Sequence, residues 1–185
     1  MKGIRLGYIA VVCFFLLLCQ PLYGADVAKI GVIDFQRILE NSSAGKYAQA
    51  EINKKGKLME EELKRKGAEI EKRKKQLERQ ALVMSKEMRE EKEREIRISI
   101  NDFKSLQKKY MREFKEFENR LVKRIQKEVI QLVREMGKAE GYLLIVERRS
   151  GEVIYTPKTN DTTDRLIQKY NVIFSKTGGN AKKKK

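Results

Sequence analysis

KYAQAEINKKGKLMEEELKRKGAEIEKRKKQLERQALVMSKEMREEKEREIRISINDFKSLQKKYMREFKEFENRLVKRIQKEVIQLVREM, residues 46–136, is the stretch whose reading decides the fold. It holds no proline and only two glycines, Gly56 and Gly67, and 45 of its 91 residues are charged. So polar a segment cannot form a globular core, yet its apolar residues fall at helical spacing. Ile52, Met59, Leu63, Ile70, Leu77 and Met84 follow one another by 7, 4, 7, 7 and 7 positions and share one helix seam, with Gly56, Lys66, Arg73 and Gln80 at the intervening places. Ile96, Ile100, Phe103, Gln107, Tyr110, Phe114, Phe117 and Leu121 alternate by four and three. Ile125, Val129, Leu132 and Met136 continue that seam after a four-residue step that breaks the heptad. The spacing predicts two long helices, the second more apolar than the first. Gly56, Gly67 and the polar seam positions weaken the first and let it bend.

The reversal between them falls at residues 81–87, where Ser85 can cap a new helix and Glu87, Glu90 and Glu91 lie near its positive end. A hairpin also returns the flanking apolar runs to each other, whereas one continuous helix would part them by more than about 130 Å. Arms of roughly 40 to 50 residues reach about 60 to 75 Å. Pairs such as Glu60 with Lys64, Glu62 with Lys66, Glu69 with Arg73 and Glu93 with Arg97 are spaced for ion pairs along one helix face. Basic groups exceed acidic ones in this stretch, 27 to 18.

Outward from the arms lie shorter apolar runs. Ala28 to Phe35 is rich in β-branched residues and reads as a strand, and Gln36 to Glu40 allows a helical turn. Asn41, Ser42 and Ser43 supply capping side chains for the first long helix. Beyond Gly137 and Gly141, Tyr142 to Glu147 is an unbroken apolar run suited to a strand covered on both sides. Arg148 to Gly151 makes a turn, Glu152 to Thr156 a second strand, and Pro157 ends it. Asn160 or Asp161 caps a last helix with Leu166, Ile167, Tyr170 and Ile173 on one side.

The expected organisation is thus a signal peptide over 1–25, a first part of a β-rich body over 26–42, and a helical hairpin over 43–137. A second body part with two strands and a helix covers 138–175, and a disordered basic tail covers 176–185. The fold class is α+β. The body amounts to about 55 residues, too few to bury enough surface alone without a disulfide or metal, so copies associate. Its candidate core and contact residues are Ile30, Val32, Ile33, Leu143, Leu144, Ile145, Val146, Val153 and Ile154.

The amino-terminal region has the layout of a secretory signal: Lys2 and Arg5, an uncharged apolar run from Leu6 to Cys19, and a cleavage zone after Gly24 or Ala25. As an uncleaved anchor the run is short of the roughly 20 residues a span needs. As a lipoprotein signal ending at Cys19, it carries Leu18 where a small residue is expected. Both cysteines, Cys13 and Cys19, leave with the signal, which excludes thiol and disulfide chemistry. Loss of Lys2 and Arg5 lowers the formal charge from +16 to +14. Export places that charge where nucleic acid is scarce, so anionic membrane surfaces, lipopolysaccharide phosphates and acidic proteins are the partners it fits. No histidine is present, nor any phosphate-loop or Gly-x-Ser-x-Gly pattern, so no catalytic, cofactor or metal residue is assigned and no enzyme is expected.

Lys29 to Leu39, the Ser43-Ala44-Gly45-Lys46 run that leads into the long helix, Tyr142 to Val146, Val153-Ile154-Tyr155 and Asp161 to Asp164 together resemble the Skp (OmpH) family of periplasmic chaperones. The resemblance implies a homotrimer in a Gram-negative-type periplasm, with β-rich bodies joined and three coiled-coil hairpins enclosing a cavity like tentacles. It implies an ATP-independent holdase for unfolded outer-membrane proteins that prevents their aggregation, using no cofactor. Lipopolysaccharide is a further partner it admits, with no residues assigned. A structural periplasmic coiled coil shares the charged heptads without the cavity, and a basic nucleic-acid-binding protein shares the charge.

Overall fold

The computed structural model describes residues 28–177. The expected signal peptide, its cleavage zone at Gly24 and Ala25, and the tail from Gly178 onward lie outside them. In chain order the elements are β1 (Ile30–Ile33), α1 (Phe35–Asn41), α2 (Ser43–Gln80), α3 (Lys86–Glu140), β2 (Leu144–Glu147), a single 3-10 turn (Lys158–Asn160) and α4 (Thr163–Thr177). Among the described residues no helix is long and apolar enough to cross a membrane.

Local chemistry sets the helix ends. Asp34 caps α1 by accepting the Arg37 N–H at 3.1 Å. One residue of extended backbone later, Ser42 caps α2 through the Gly45 N–H at 3.1 Å. Ser85 caps α3, accepting from the Met88 N–H at 3.2 Å. The helix α3 passes through Gly137 and stops at Gly141, whose φ of 69° is the left-handed conformation that ends helices at little steric cost. The two arms therefore reverse over residues 81–85, where Leu82 and Val83 project into solvent. At 1.5 Å per residue, the 38 residues of α2 extend about 57 Å.

The arms run antiparallel. Gly56 faces Phe114 and Gly67 faces Phe103, so an advance of eleven residues along α2 matches a retreat of eleven along α3. Their return brings β1 and β2 into parallel pairing, Ile30 opposite Leu144 and Ile33 opposite Glu147.

The core does not respect the expected boundaries at 42/43 and 137/138. Ile33 and Ile38 pack with Ala44 and Ala48 of α2, Ile125, Val129, Leu132 and Met136 of α3, and Leu166, Ile167 and Tyr170 of α4. The roots of both arms thus belong to the body, which is larger than about 55 residues. The heptad break at Leu121–Ile125–Val129 marks the place. Above it α3 faces α2 alone, and below it α3 also meets α1 and α4, so its apolar stripe shifts and its seam residues become fully buried.

Three further expectations are corrected. Residues 152–156 form no strand. The Gly151 and Val153 amides donate to the Glu147 and Arg148 carbonyls, Glu152 takes a positive φ of 49°, and the chain turns away from β2. Nor is β2 covered on both sides: helices cover the face bearing Ile145, while Leu143 and Leu144 are 75% and 52% exposed. At the far end of α4 it is Phe174 that packs against the core, and Ile173 lies open.

Polar groups tie the segments together. Asp161 accepts the Thr163 N–H at 3.0 Å and meets Arg37 Nη1 at 2.9 Å and Arg148 Nη2 at 3.3 Å. Glu147 accepts the Ser150 N–H at 2.6 Å and the Phe35 N–H at 3.3 Å, linking β2 to the start of α1. Burial pushes both carboxyls up, but these hydrogen bonds, joined at Asp161 by the two guanidinium charges, outweigh it and leave Glu147 below its ordinary 4.5 and Asp161 below its ordinary 3.8.

Two outcomes follow from this packing. A Cβ added at Gly45 would stand 1.8 Å from the Leu39 carbonyl oxygen, a backbone atom, so Gly45→Ala lowers stability by about 1–3 kcal/mol or more, read from urea unfolding. Depressed carboxyl values contribute stability that is complete above the unfolded values and lost as pH falls through the folded ones. Unfolding free energy therefore holds down to about pH 5 and declines below about pH 4, and Asp161→Asn flattens that decline.

Candidate functional site

Besides the hairpin tip with Leu82 and Val83, two apolar surfaces stand open in a chain whose polar groups are otherwise satisfied: among the described residues no buried side-chain nitrogen or oxygen lacks a hydrogen-bond partner. The first is the outer part of the two-stranded sheet. Of the nine residues expected there, Val32 and Ile33 are buried within the chain itself, Ile145 packs against the core, and Val146 and Val153 are half-buried. Ile30, Leu143 and Leu144 are exposed, and Ile154 is 99% exposed. Alternation accounts for part of the split: Ile33 and Ile145 point to the helices, whereas Ile30 and Leu144, opposite each other in register, point away; Val32, on the Ile30 side, is buried where the Asp161–Thr162 segment bonds to it, and Leu143 stands exposed just before β2 begins. Tyr155, beside Ile154, is likewise open.

The second surface lies halfway along the arms. An antiparallel helix pair normally fills its seam with interlocking side chains, but here α2 presents hydrogen at two seam-facing positions. A Cβ at Gly56 would lie 3.3 Å from Phe114 Cε2, and one at Gly67 would lie 3.7 Å from Phe103 Cζ. The rings rest on bare backbone, and the space beside them is an open trough of about 980 Å³. Its floor is Met59, Leu63, Phe103 and Phe114, with Met111 on its wall. Lys64, Lys104 and Lys108 stand along the rim with Glu60 as the acidic member. Tyr110 crosses the seam and donates its hydroxyl to Glu62, which fixes the spacing of the helices and holds the phenol above its ordinary value.

Seam spacing assigns Met59 and the phenylalanines to the packing between the arms, and they do lie there. The trough itself could not be read from that spacing alone. Its signal was a glycine at residue 56 of the seam, with a second glycine eleven residues on. The body's polar network was legible only as residues of a resemblance, since Arg37, Glu147 and Asp161 are far apart in sequence. A third cluster sets Glu140 among Lys29, Arg165 and Lys169, with Lys169 at 2.7 Å and Arg165 at 2.9 Å. The Lys169 hydrogen bond is the largest influence holding that carboxyl below its ordinary value. Among the described residues no group of three acidic, histidine or cysteine side chains is placed to hold a metal.

Residues 29–170 match the family described as outer membrane protein (OmpH-like). Among solved structures the chain is similar to a protein of Caulobacter crescentus CB15 described as an outer membrane chaperone (OmpH-like). The TM-score is 0.74 at 15% identity, over 83% of this chain and 90% of that one. Among curated proteins none matches. The solved structure shares the fold, and the family match spans body and arms together; the chain belongs to the OmpH-like family.

Proposed function

We propose that the protein is an ATP-independent holdase of the periplasm. On this reading it assembles as a homotrimer whose bodies join through their open sheet surfaces, and its hairpins fence a space for unfolded outer-membrane proteins. The observation that carries this is the pairing, in one chain, of an uncovered apolar sheet surface with long basic arms that expose apolar side chains of their own. Leu143, Leu144 and Ile154 would each release apolar area from water on association, at about 25 cal/mol per Å². An unfolded barrel protein aggregates by strand edges meeting, and separation in a fenced space prevents that without tight recognition. The excess of basic groups on the arms, 27 against 18, attracts acidic clients within about 8 Å, the screening length at physiological salt. The same charge suits lipopolysaccharide phosphates or an anionic membrane surface.

Dilution of a urea-unfolded outer-membrane barrel protein into buffer tests the proposal by light scattering. One trimer per client abolishes scattering. Leu143→Lys with Ile154→Lys, both at exposed positions, leaves helicity intact but weakens assembly and suppression at least roughly tenfold, the effect of about 1.4 kcal/mol. Undiminished scattering with the unmodified protein would leave a structural rod as the better reading.

A further inference from the structure

The geometry points to a discrete client site on each arm: the trough between α2 and α3 holds an aromatic or long aliphatic segment flanked by acidic residues. This rests on the holdase reading and names the kind of segment held. Space comes first. Gly56 and Gly67 set only backbone against the Phe103 and Phe114 rings, which stay half-buried, and about 980 Å³ is left open beside them, within the range of small-ligand sites. That volume suits a few large side chains of an extended chain and excludes a folded domain. The lining chemistry comes next. Methionines 59 and 111 flank the rings, and their flexible thioethers adapt to differing apolar shapes.

Charge decides the occupant. A minority of the arm cations pair along their own helix, as Lys74 does with Glu71, Lys92 with Glu95, Arg97 with Glu93 and Lys109 with Glu113, and the basic excess of the arms is left largely free. Lys64, Lys104 and Lys108 on the rim make no ion pair with any described residue, and only Glu60 opposes them there. An apolar floor under a rim of three lysines and one glutamate complements an apolar segment with Asp or Glu on either side. It disfavours a second copy's arm, which is itself predominantly basic, and the chain's own carboxy-terminal Lys182 to Lys185.

The test uses the exported chain with labelled methionine methyl groups. Met59 and Met111 report the trough, Met84 and Met88 the hairpin tip, and Met136 the buried core. The probes are a synthetic peptide of alternating Phe and Leu flanked by Asp, and its twin flanked by Lys. The Asp-flanked peptide shifts the Met59 and Met111 signals, leaves Met136 in place, and binds at least roughly tenfold more tightly than the Lys-flanked one. Gly67→Leu fills the trough and removes the shifts. Should that variant fail to fold, Lys104→Glu with Lys108→Glu, both on the surface, reverses the peptide preference. Unmoved Met59 and Met111, equal affinity for both peptides, shifts confined to Met84 and Met88, or shifts produced by concentrating the protein alone would each overturn the site. Aggregation suppression that persists with Met59 and Met111 unmoved overturns the trough and spares the holdase. Loss of suppression in the unmodified protein overturns the holdase itself.

Discussion

Everything in this fold depends on two four-residue strands meeting in parallel although more than 110 residues separate Ile30 from its partner Leu144. Parallel strands need a crossover, and here the crossover is a helical hairpin that leaves the body and returns. A flexible loop of such length would carry a large closure entropy. Two helices packed side by side remove most of that freedom, because fixing the tip fixes both roots. The roots then complete the core, with α3 supplying Ile125, Val129, Leu132 and Met136 beneath the sheet and α4. Body and arm are therefore one cooperative unit at their junction, and the glutamate and aspartate contacts around Phe35, Arg37 and Thr163 lock the strand ends onto it.

Local signals were legible wherever the cause was local. The strand at Ile30–Ile33, the caps at Ser42 and Ser85 and the helical seams follow from periodicity and from side chains that satisfy nearby amides. What depended on distant partners was not. Glu152 to Thr156 has strand composition, yet the Val153 amide bonds to Arg148 and Glu152 turns the chain aside, so the segment stays unpaired. Counting residues between the arms and the strands underestimated the body, because nothing in a heptad count says where a helix gains a second and third neighbour. The break at Leu121–Ile125–Val129 was visible, but its meaning required the packing of α4.

That correction changes the physical case for association. A core that recruits both helix roots is not starved of apolar area, so small size no longer compels partnership. The case now lies with particular side chains, Ile30, Leu143, Leu144, Ile154 and Tyr155, which a chain at equilibrium with water has reason to cover. The trough belongs to the same logic. Glycines on α2 admit the Phe103 and Phe114 rings against bare backbone and leave them half-buried midway along the hairpin, beside the open trough. Stability at the roots and openness along the arms fit a protein that holds others loosely.

The central claim is that the open sheet surface joins copies of the chain so that their arms stand together. Sedimentation equilibrium of residues 26–185 at micromolar concentration tests it most directly. The account predicts a single species of three times the chain mass; a monodisperse single chain across the whole concentration range would contradict it.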